Sequence, residues 1–213
     1  MDDSNDNGGR RKALGALLAA GLAAGAASRL GAQPAAGKAT DDRLEQLWSR
    51  AAIEEILFAY ARGNDRNDPD LIRSCFWPES THQHGGFSGS SQDFVTFAAA
   101  IIGKLKHCAH FITNVSVRVD GNRAFSECYY FAHHRRDAAS GNGEEDAFFE
   151  GRYLDFHEQR NGVWKILRRR GLSDLSIVTP AATPYAAWLA GQHSLHSRDD
   201  DYFRMLAEFE AGA

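Results

Sequence analysis

Two stretches in the second half of the chain limit its fold more than anything else in it. "HFITNVSVRVDGNRAFSECYYFAHHRR" (residues 110–136) and "DAFFEGRYLDFHEQRNGVWKILRRRGL" (residues 146–172) each hold two alternating apolar runs around a turn dipeptide, Asp120-Gly121 and Asn161-Gly162. Apolar residues at every second position make a strand with one buried face, and Asp-Gly or Asn-Gly supplies the backbone a tight hairpin needs. Joined by the flexible "DAASGNGEED", the two hairpins predict a four-stranded antiparallel meander.

Helices come before it. Leu44, Leu47, Ala51, Ile56 and Tyr60 recur at helical spacing after a cap at Thr40 or Asp41, and Gly63-Asn64 is expected to end that helix. Pro69 opens a short second helix, and Ser91 caps a third over "SQDFVTFAAAIIGKLKH". Between them "ESTHQHGGFSGS" reads as one short strand running into a Gly/Ser loop. Helices first and strands afterwards predict an α+β domain over residues 41–180, with helices on one face of a curved sheet, followed by an extension over 181–213.

A length of 213 residues suits one such domain. Net charge is −4 and no basic stripe is interleaved with aromatics, which argues against a nucleic-acid partner. Nine histidines and 11% aromatic residues point instead to a small-molecule pocket. Cys75, Cys108 and Cys128 lie in apolar settings without CxxC spacing and read as buried free thiols.

Residues 1–40 read as an address and linker. Arg10, Arg11 and Lys12 precede an uncharged run from Ala13 to Ala27, which is short for a membrane span but suits a signal peptide. Paired arginines before such a run resemble a twin-arginine export signal, so a periplasmic location is expected, with cleavage between Ala26 and Ala36.

The stretches "SRAAIEEILFAYARGND", "HFITNVSVRVDGNRA" and "GRYLDFHEQRNGVWKI", with the arginine run after the last, resemble the SnoaL-like branch of the nuclear-transport-factor-2-like superfamily. The likeness covers about residues 43–180 and is strongest to the branch holding scytalone dehydratase, bile-acid dehydratase and hexachlorocyclohexane dehydrochlorinase. It implies a cone-shaped α+β fold and a His–Asp dyad in an apolar cone, helped by a Tyr and an Arg. On this chain the dyad falls on His110 and Asp65, with Arg169 and Tyr60 as helpers.

Each of these residues also has a plainer reading. Spacing alone makes Asp65 a turn cap, Arg169 one of three arginines on a solvated face, and Tyr60 a packing residue with a polar tip. In strict alternation His110 shares a face with Ile112 and Asn114, and Arg169 lies on the face away from Trp164 and Ile166. Phe111, Phe131, Phe149 and Tyr153 are expected to line the pocket together with His133, although His134 competes with His133 for the inner face. His82 and His84 share a face and could pair on zinc with His110 or His133, but carboxylates at ligand spacing are missing nearby, and no metal or cofactor is expected.

The resemblance therefore implies a cofactor-independent lyase of the dehydratase type, acting on a hydrophobic ring-bearing molecule, aromatic or steroid-like. An isomerase with the same dyad and a non-catalytic ligand-binding protein are the rival readings. Val115 and Val117 set against Ile112, and Trp164 and Ile166 against Leu167, suggest a meander apolar on both faces and hence a homo-oligomer. The resemblance favours a trimer.

Overall fold

The protein is described by a computed structural model covering residues 36–188 and 193–212. The paired arginines and the apolar run after them lie outside these residues. Among the described residues no helix is long and apolar enough to cross a membrane.

Helix α1 (Ala36–Asp65) leads to the short α2 (Pro69–Ser74), then strands β1 (Phe76–His84) and β2 (Phe87–Ser90), and helix α3 (Ser91–Ile102). Four long strands follow: β3 (His107–Asp120), β4 (Arg123–Asp137), β5 (Glu144–Arg160) and β6 (Val163–Pro180). A 3₁₀ turn (Tyr185–Trp188) and helix α4 (Asp201–Glu210) complete the chain. The strands form one sheet in the order β2-β1-β6-β5-β4-β3, antiparallel throughout except where β1 runs parallel to β6. This is the expected α+β architecture of helices on a largely antiparallel sheet.

Two local expectations are corrected. Helix α1 does not stop at Gly63-Asn64 but runs through both to Asp65. Gly63 is needed for packing, because a Cβ there would sit 2.6 Å from Ile72 Cγ1 of α2. Asn64 stays helical while its side-chain amide donates to the Tyr60 carbonyl at 2.8 Å, and the left-handed residue is Asn67, at φ +50°. The Gly/Ser segment after β1 is a second strand, folded back at Gly85-Gly86 so that His84 faces Phe87.

The inner face of the sheet packs on the helices in two apolar clusters. The larger joins Leu57 and Tyr60 of α1, Phe94 and Val95 of α3, and Tyr130, Tyr153 and Ile166 of the sheet; the smaller holds Ile53, Val117, Ala124 and Trp164. Leu47 falls on the helical stripe yet is largely exposed. Cys75, Cys108 and Cys128 are buried and free.

Two bulges decide which side chains enter that interior. In β3 the register against β4 shifts between Thr113 and Ser116, where Asn114 takes φ +50°. One extra residue reverses the alternation beyond it. Asn114 therefore leaves the face it was expected to share with His110, and Val115 and Val117 join Ile112 on the inner side. In β6, Ile166 pairs with His157 and Arg168 with Phe156, which makes Leu167 the extra residue. Arg169 is thereby turned onto the same face as Trp164 and Ile166, rather than away from them. The apolar pairs expected on opposite faces thus lie largely on one.

Candidate active site

Asp65 ends α1 beside the edge strand β3, where His110 points inward. Its Oδ1 lies 2.8 Å from His110 Nδ1, and its Oδ2 accepts the His110 backbone N–H at 3.1 Å. Two contacts to one residue fix both the carboxylate and the ring. A carboxylate on Nδ1 holds the proton there and leaves Nε2 as the basic nitrogen, and among the described residues Nε2 has no hydrogen-bond partner. A cleft of about 220 Å³ opens at the pair between α1 and β3, lined by Phe58, Ala61, Arg62, Asp65, His110 and Ile112 among others.

The last turn of α1 is held from behind. His196, in the C-terminal segment, places Nδ1 2.8 Å from the Asp65 carbonyl oxygen and Nε2 3.0 Å from that of Ile102, at the end of α3. Arg66 pairs with Asp200 at 3.1 Å, and Arg198 with Asp68 at 2.8 Å. The extension thus braces the helix end that carries Asp65.

Inside the sheet, the His134 ring lies 5.6 Å from that of His110, and Phe149 is 5.1 Å from His134. Burial, reinforced by the neighbouring His110, lowers the His134 pKa to about 3, so its ring is neutral near pH 7, and among the described residues its buried Nε2 has no partner. His82 and His84 also face inward, with His82 stacked 3.5 Å from Phe94. Burial lowers them to about 2 and about 4.

The second expected pair stands elsewhere. Arg169 is buried and grips Asp155 with two hydrogen bonds, Nε to Oδ1 at 2.8 Å and Nη2 to Oδ2 at 2.6 Å. Its guanidinium lies 4.1 Å over Tyr60 and 4.4 Å over Tyr153. Burial raises both tyrosine pKa values, so both hydroxyls keep their protons. No hydrogen bond or ring contact among the described residues links this cluster to the dyad. Asp155, absent from the sequence expectation, matches the charge of Arg169.

Three expected pocket residues are misplaced. Phe111, Phe131 and His133 lie on the outer face, where Phe111 and Phe131 are about half exposed and His133 Nε2 bonds Asp146 at 2.6 Å. Counting back from the β3–β4 turn without a bulge sets His133 opposite His110; the extra residue at Asn114 sets Ala132 there, and His134 shares the inward face of Ala132. Phe149 and Tyr153 do face the interior, Tyr153 stacked 4.6 Å from Tyr130.

Cys108, His110 and His134 bring one ligand atom each within 4.8 Å of one another. The Cys108 thiol is a poor ligand, since burial and then the Asp65 charge push its pKa up, and Asp65 already occupies His110 Nδ1.

The sequence profile of a SnoaL-like domain matches residues 45–170. The chain belongs to that family. An uncharacterized protein of Mycobacterium tuberculosis is 25% identical over 127 residues, covering 58% of this chain and 84% of its own length. Among solved structures, a hexachlorocyclohexane dehydrochlorinase is similar with TM-score 0.58 and 19% identity, over 67% of this chain and 96% of that one. A scytalone dehydratase-like protein from Novosphingobium aromaticivorans gives 0.54 and 22%, over 68% and 93%. At such identities the likeness shows that this SnoaL-like chain shares their fold.

Proposed function

We propose that this SnoaL-like chain is a cofactor-independent lyase that eliminates water, or a comparable small group, from a hydrophobic ring-bearing molecule. The observation that supports it is the doubly fixed Asp65–His110 pair beside an open cleft. In this reading His110 Nε2 takes a proton from the carbon next to the leaving group, Asp65 stabilises the imidazolium formed, and neutral His134 donates a hydrogen bond to the departing oxygen. The resemblance to dehydratases and dehydrochlorinases of this fold points the same way.

Arg169 and Tyr60, expected as helpers, become structural in this reading, because their polar groups are engaged with Asp155 or buried with it. The test is turnover of hydroxylated aromatic and steroid-like ketones, followed by mass spectrometry. His110→Ala, folded by circular dichroism, should lose roughly 10²–10⁴-fold in rate, and Asp65→Asn a comparable factor. Undiminished turnover in folded His110→Ala would end the reading, and a product of unchanged mass would make the enzyme an isomerase.

The assembly expected from the sequence is proposed on different residues. Phe111, Phe131, Phe148 and Ile177 form an outer-face apolar patch, which a second and third copy would cover. Light scattering should report a trimer, and Phe131→Glu should dissociate it. Export through a twin-arginine route is likewise proposed, and N-terminal sequencing of periplasmic material checks it.

A further inference from the structure

The outer face of the sheet carries a second cavity, of about 490 Å³, across β2, β1, β6, β5 and β4. Its polar lining includes Gln83, Arg168 and Arg170, and its apolar lining Phe125, Leu154 and Phe156. Because Arg169 points inward, Arg168 and Arg170 both project outward, two positions apart on one strand and so roughly 7 Å from each other.

Their charges are unmatched. The Arg168 guanidinium lies 4.2 Å over the Phe156 ring, which meets Phe125 edge-on at 5.4 Å. Arg170 donates to the side-chain oxygen of Gln83, a neutral acceptor. Among the described residues neither arginine reaches a carboxylate, whereas nearby Arg169, Arg152 and Arg160 all do. The cavity lining contains no Asp or Glu. In a chain of net charge −4 this is a local reversal of sign. Adjacent like charges on a strand repel, and one shared anion would relieve both.

The volume lies within the usual range for small-molecule sites, and the lining combines flat apolar surface with a forked cationic grip. We propose that the outer cavity binds a small organic anion: a ring-bearing carboxylate whose ring lies against Phe125, Leu154 and Phe156, and whose oxygens bridge Arg168 and Arg170. The site is on the opposite face of the sheet from the dyad and uses none of its residues.

Calorimetric titration of the full chain with naphthoate, and with the uncharged naphthyl methyl ketone, tests this. Naphthoate should bind saturably, at least about tenfold more tightly than the ketone, and less tightly as salt is added. Arg168→Gln with Arg170→Gln should weaken it by about tenfold or more, and His110→Ala should leave it unchanged. If the double variant is unfolded by circular dichroism, Arg170→Gln alone carries the test, with the same direction of effect. Equal affinity in the folded variant, absence of saturable binding, or loss of binding in His110→Ala would each overturn the proposal. A change in oligomer size on removing the arginines, with naphthoate affinity untouched, would assign the cavity to a second copy and overturn it as well.

Discussion

A single carboxylate can bond to a histidine ring and to that residue's own backbone only if strand and helix end arrive in one orientation. Asp65 does both with His110. Asparagine at position 65 would keep the shape but could present its amide N–H₂ to Nδ1, favouring the wrong tautomer, so a rate loss without unfolding is expected. Asp155 predicts the opposite split. It is the carboxylate that matches Arg169, and both side chains are fully buried. Asp155→Asn leaves a guanidinium inside the core without an anion, and removing one partner of such a pair costs about 3–5 kcal/mol. Urea unfolding of Asp155→Asn should therefore show a large drop in midpoint, and a drop no larger than that of a surface Asp variant would contradict the structural role.

At the scale of elements, the parts legible in the sequence were those with local signals. The long strands show in alternation, the hairpins in their Gly and Asn turn residues, and the third helix in its serine cap, where Ser90 rather than Ser91 accepts the Asp93 N–H. The dyad partners were legible through the family resemblance, since spacing alone made Asp65 a cap. The bulges were not legible, because one inserted residue leaves apolar and polar positions alternating on both sides of it. That is why Asn114 was set on the face of His110 and Arg169 on the face away from Trp164. Asn114 and Leu167 carry these shifts. Asn114→Val forces a β-branched side chain to φ +50° and should cost about 1–2 kcal/mol, whereas Asn114→Gly should be tolerated. Thermal melts of the two variants check this: equal midpoints would show that the bulge does not depend on a left-handed residue. The brace from His196 left no periodic trace either, as its partners are backbone carbonyls far away in the chain.

The whole molecule should be acid-sensitive. His82, His84, His134 and His157 have pKa values lowered, mainly by burial, to about 2, 4, 3 and 4. Between those values and the unfolded value of about 6.5 the unfolded chain binds more protons than the native one, so stability falls as pH drops through that window. Going from about pH 7.5 to about pH 5.5 should remove on the order of 1 kcal/mol for each histidine, a large share of a typical stability of about 5–15 kcal/mol. Urea midpoints that stay level across that range would refute it. The topology also has a consequence in time. Strands β3 to β6 pair with neighbours in sequence, but the parallel contact of β1 with β6 joins residues as far apart as Phe76 and Ile166, 90 positions, and the dyad bond spans 45. Closing long loops is slow compared with zipping hairpins. A refolding chain should acquire its hairpin strand signal before α1 docks and Asp65 meets His110, so recovered turnover is expected to trail the circular dichroism, and the Asp65–His110 pair becomes a clock for a late step of folding.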